Sequence, residues 1–68
     1  MYYVLDNNGK KYLIKDINYF FQHLVHFHTD NEQRPNNSIH EENGHYFTVT
    51  MDFFDKIKEY YNSKNNNS

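Results

Sequence analysis

Five histidines in a chain of 68 residues are the first feature with chemical potential. Imidazole ordinarily titrates at about pH 6.5 and is the commonest side-chain ligand for transition cations. His23, His26 and His28 crowd one short stretch, while His40 and His45 flank Glu42. If the residues around Asn43-Gly44 form a hairpin, His40, Glu42 and His45 share one face. A borderline cation such as zinc accepts that ligand set. The chain has no cysteine and no His-Glu-x-x-His helix, so no cofactor is expected and this trio is the alternative, metal-binding reading. The helical wheel places His23 and His26 on an outer face with Tyr19, and His28 on the inner stripe. Tyr19, Gln22, His23 and His26 then offer aromatic and imidazole groups suited to an interface. Mild acid would add positive charge there, so a complex held by neighbouring acids is expected to respond to pH.

Other reactive groups give less. Ser38, Ser63 and Ser68 sit in no nucleophile motif. Gly9 and Gly44 are accounted for by turns, which leaves no phosphate-cradling loop. His28 with Asp30 or Glu32 is the best acid–base pair the sequence offers, and no recognisable reaction follows from it. The expectation is a protein that is not an enzyme. Lys10, Lys11 and Lys15, interleaved with Tyr2, Tyr3 and Tyr12, form a basic aromatic segment able to touch phosphates and stack bases. That is the alternative nucleic-acid reading, with Lys10, Lys11, Lys15 and Tyr12 as contacts. Against it stand one arginine and a formal net charge of −2. Acids dominate the middle of the chain: Asp30, Glu32, Glu41, Glu42, Asp52 and Asp55 are countered there only by Arg34.

The elements that position these residues are set by two turn signals. Asn8-Gly9 and Asn43-Gly44 each suit a two-residue type I′ turn, whose central residues need positive φ. The first predicts the cross-strand pairs Asp6–Lys11, Leu5–Tyr12, Val4–Leu13 and Tyr3–Ile14. The second predicts Glu42–His45, Glu41–Tyr46, His40–Phe47 and Ile39–Thr48. A helix follows each hairpin. Asp16 caps the first, whose stripe is Ile17, Phe20, Phe21, Leu24 and His28; Thr50 caps the second, with Phe53, Phe54, Ile57, Tyr60 and Tyr61. The turns stand 35 residues apart and the caps 34, so the halves read as copies of one ββα unit.

The expected fold is therefore α+β, ββαββα, with a four-stranded antiparallel sheet and two helices on one face. One domain spans 1–61, built from units 1–28 and 38–61 joined by a polar loop, 29–37; residues 62–68 form a flexible polar tail. Tyr3, Leu5, Tyr12, Ile14, Phe47 and Val49 are expected inward. Val4, Leu13, Ile39, Tyr46 and Tyr2 are left on the opposite face, where a second copy would cover them. A chain this short hides only about 60% of its unfolded surface, which favours such pairing. No basic and apolar leader is visible, no apolar run approaches the roughly 20 residues of a membrane span, and mean hydropathy is −1.09. A cytoplasmic protein without a membrane partner is expected. Eleven asparagines beside many lysines, tyrosines and phenylalanines fit an AT-rich genome, such as that of a low-GC bacterium or its phages. These features suggest a small protein-binding module: a phage or mobile-element inhibitor, dimeric, that occludes the basic surface of a larger protein such as a nucleic-acid enzyme. Its contacts would be Glu41, Glu42, Asp52 and Asp55, with Tyr19, His23 and His26 as a second patch.

Overall fold

A computed structural model describes residues 2–32 and 34–65. Its element order is β1 (Tyr2–Leu5), β2 (Lys11–Ile14), α1 (Ile17–Phe27), β3 (Ile39–Glu42), β4 (His45–Thr48) and α2 (Met51–Asn65). The α+β class and the ββαββα order are as expected. The four-stranded sheet is not: the strands form two separate two-stranded antiparallel sheets, β1–β2 and β3–β4. All four strands are only four residues long. The hairpins meet through Asn7 at the tip of the first. Its N–H donates to the Tyr46 carbonyl at 2.8 Å. Its side chain accepts from the Thr48 N–H at 3.1 Å and donates to Thr48 Oγ1 at 3.0 Å. Side-chain and turn contacts thus make the junction that a strand ladder would otherwise make.

The first hairpin also differs in register. Its pairs are Tyr2–Ile14, Tyr3–Leu13, Val4–Tyr12 and Leu5–Lys11, one residue away from the expected set. Asp6 explains the slip. The Gly9 N–H donates to the Asp6 carbonyl at 2.9 Å and the Asp6 N–H to the Lys10 carbonyl at 2.8 Å. Asp6 Oδ1 accepts from the Asn8 and Lys10 N–H groups, both at 2.9 Å. Gly9 takes φ +81°, whereas Asn8 is not in the positive-φ region. This is a three-residue loop, a type I turn closed by a left-handed glycine, and Asp is a favoured first residue of that turn. One extra loop residue turns every β1 side chain over. Val4 is buried and Tyr2 half-buried, while Tyr3 and Leu5 are exposed.

The second hairpin has the expected register, Ile39–Thr48 to Glu42–His45. Asn43 (φ +51°) and Gly44 (φ +85°) supply the two positive-φ positions of its turn. Both helix caps form as well. Asp16 accepts from the Tyr19 N–H at 3.1 Å, and Thr50 Oγ1 accepts from the Phe53 N–H at 3.2 Å. Phe21 stacks on Tyr61 across the helix pair, with centroids 4.4 Å apart. The core comprises Val4, Ile14, Ile17, Phe20, Leu24, Phe47, Val49, Phe54 and Ile57, with Tyr12 packed half-buried against it.

Internal contacts hold the polar connecting loop in place. Asp30 Oδ1 accepts from the Glu32 and Arg34 N–H groups, Thr29 and Pro35 form a β-bridge, and the Asn37 N–H reaches the Val49 carbonyl at 3.1 Å. The second helix runs on through Asn65 rather than giving way to a tail at 62, and Asn65 Nδ2 donates to Asn18 Oδ1 at 2.9 Å. The rest of the expected tail, 66–68, lies outside the described residues. Among the described residues, no helix is long and apolar enough to cross a membrane.

Candidate functional site

Three histidines converge where the end of α1 meets β3. Leu24 and Phe20 anchor the inner face of α1. The helix ends at Phe27, and His28, its C-cap, leaves helical geometry at φ −128°, ψ 21°. Departure from the helical repeat lets His28 approach His23, five residues earlier. His40 is paired with Phe47 and therefore turns inward with it. The result is one ring nitrogen from each of His23, His28 and His40 lying within 4.8 Å of the others. The ring centroids are 4.6 Å (His23–His40), 5.2 Å (His28–His40) and 5.5 Å (His23–His28) apart. His28 and His40 are buried, and His23 is half-buried. Phe20 packs edge-on against the His40 ring at 5.2 Å.

Hydrogen bonds fix the proton on both buried rings. Ser38 Oγ gives its only hydrogen to Asn36 Oδ1 at 2.5 Å. It must then accept from His28 Nδ1, 2.6 Å away, so Nδ1 carries the proton and Nε2 is a free lone pair. His40 Nε2 donates to Glu42 Oε1 at 3.0 Å, which leaves Nδ1 as its lone pair. Burial pushes both imidazoles below their usual pKa, reinforced by repulsion from His40 and His23 on His28 and from His23 on His40. Glu42 opposes the shift at His40.

The grouping proposed from sequence divides. His40 and Glu42 are together, but His45 Nδ1 donates to Asp6 Oδ2 at 2.7 Å. His45 thereby joins the second hairpin to the loop of the first. His23 lies between the two groups, 4.6 Å from the His40 ring and 6.3 Å from the Tyr19 ring, while Tyr19 and His26 are exposed. The members of the cluster missing from the sequence-derived trio are His23 and His28, and the available signal was the inward register of His40 opposite Phe47.

The basic aromatic segment divides as well. Tyr12 packs against Phe47 and His45, with centroids 5.7 and 4.9 Å away, and its hydroxyl accepts from Asn43 Nδ2 at 2.9 Å. Lys10, Lys11 and Lys15 are exposed, and Lys11 Nζ lies 4.8 Å from the centre of the Tyr3 ring. Of the acids, Glu41 accepts from the Gly44 N–H at 2.8 Å, Glu42 is the His40 partner, and Asp52 and Asp55 are exposed on α2. Away from the core, β1 and β2 expose Tyr3 (46%), Leu5 (55%) and Leu13 (45%), while β3 and β4 expose Ile39 (53%) and Tyr46 (51%).

No family model, curated protein or solved structure matches the chain.

Proposed function

We propose that the protein is a small non-catalytic protein-binding module. In this reading the outward strand faces pair two copies, and exposed acids direct the dimer to a basic surface on a larger protein, such as that of a nucleic-acid enzyme. An inhibitor of a host enzyme, carried by a phage or mobile element, is the role this chemistry suits. The observation that carries the reading is the apolar side chains each hairpin leaves about half exposed, Tyr3, Leu5 and Leu13 on the first and Ile39 and Tyr46 on the second. Apolar surface rimmed by polar residues characterises association sites, and a small core gains most from covering it. Glu41, Asp52 and Asp55 supply charge complementary to a basic partner, which steers encounter. Tyr12 supports this reading over nucleic-acid stacking, because its ring is packed against Phe47 and His45.

Sedimentation of the purified protein at micromolar concentration tests the dimer. The wild type is expected at twice the monomer mass, and Leu5→Lys with Tyr46→Lys at the monomer mass; a monomeric wild type overturns the pairing. A partner recovered from native host cells should be lost on Glu41→Lys with Asp55→Lys. Retention of that partner by the charge-reversed protein overturns the acidic contact.

A further inference from the structure

We propose that His23, His28 and His40 form a three-imidazole site for a divalent transition cation of zinc type, with a fourth position left for water or a partner's side chain. The inference is independent of the docking surface. It rests on three nitrogen ligands brought within 4.8 Å from two elements distant in sequence. It rests equally on the hydrogen bonds behind them.

A histidine ligand needs its free nitrogen aimed inward and its other N–H held by an acceptor, commonly a carboxylate. Glu42 holds His40 in this way, and the Ser38–Asn36 chain holds His28. Glu42 is thus a positioning residue rather than a ligand. Nitrogen ligands at about 2.0–2.1 Å around a tetrahedral ion stand about 3.3 Å from one another. The 4.8 Å spread therefore has to contract. His23, half-buried on the surface of α1, is the ring free to close it. Three protein ligands with one open position favour zinc or cobalt over calcium or magnesium, which require oxygen donors.

The test is calorimetric titration of metal-stripped full-length protein with zinc chloride at neutral pH, alongside cobalt chloride followed by visible absorption. One equivalent is expected to bind, with the intense visible bands of tetrahedral cobalt and a raised melting temperature. His23→Ala is expected to weaken binding by at least about 100-fold, and Glu42→Gln by about 10–100-fold, the range for loss of a supporting carboxylate. The exposed His26→Ala should bind as the wild type does. Circular dichroism checks that each variant folds, and Glu42→Gln carries the test if His23→Ala does not fold. Absence of one-equivalent binding, affinity unchanged in the folded variants, or equal loss in His26→Ala overturns the site.

Discussion

The Asp6 carboxylate has two attachments. One oxygen closes the first loop through the Asn8 and Lys10 N–H groups, and the other receives the His45 imidazole. These bonds fix which side of β1 faces the core, and single residues report it. Val4→Ala is expected to cost about 2 kcal/mol, from two buried methyl groups at about 0.8 kcal/mol each plus a residual cavity. Leu5→Ala should change stability by less than about 0.5 kcal/mol, as exposed positions do. Urea denaturation of both variants checks this, and a larger loss at Leu5 contradicts the register. The sequence contained the relevant cue in Asp6, whose carboxylate competes for loop N–H groups, but Asn8-Gly9 alone suggested a shorter turn. At Asn43-Gly44 the corresponding acid, Glu41, accepts from a single loop N–H, that of Gly44, and the two-residue turn is kept.

At the scale of elements, local rules carried furthest where one side chain decides one boundary. Asp16 and Thr50 start their helices through bonds to backbone N–H groups that would otherwise be unpaired. The inward positions Tyr12, Ile14, Phe47 and Val49 were legible because alternation is insensitive to loop details within β2 and through β4 into the residue that follows it. The ββα repeat survives in element order and breaks in loop length, three residues in one hairpin and two in the other. The imidazole cluster was not legible as a whole. The wheel set His28 inward, where it is buried, but left His23 on the outer face, and only the inward turn of His40 from a distant strand brings the two rings together. Gly9 and Gly44 make the turn chemistry testable. A Cβ at either meets nothing within 4 Å, so replacement by alanine should reveal backbone cost alone, about 1–2 kcal/mol at each position for entering the left-handed region. Thermal melts of Gly9→Ala and Gly44→Ala check this; no measurable loss would contradict the positive φ.

For the molecule as a whole, stability should depend on pH in two windows. His28 and His40 are neutral-favouring in the fold. The unfolded chain takes up protons below about 6.5 while the folded one resists, so stability falls as pH drops from there toward the depressed folded values. Asp6 is held below its usual pKa chiefly by the Lys10 N–H, with help from the His45 and Asn8 bonds and against burial. Its contribution is present above the unfolded value of about 3.9 and disappears as pH falls through the folded one. Denaturation of metal-free protein across pH 8 to 3 should show a first decline beginning near 6.5; a flat profile down to pH 5 contradicts the burial of the two rings. The separation of the strands into two pairs has a further result. A single continuous sheet would present two lateral borders of unsatisfied N–H and C=O groups, whereas a pair of hairpins presents four, and Asn7 occupies only part of one gap. Such borders invite fibril-like stacking, and lysine is the residue proteins most often set there as a guard. Lys11 within β2, with Lys10 and Lys15 at its ends, places exposed positive charge along one of these strands, the kind of residue that discourages strand addition.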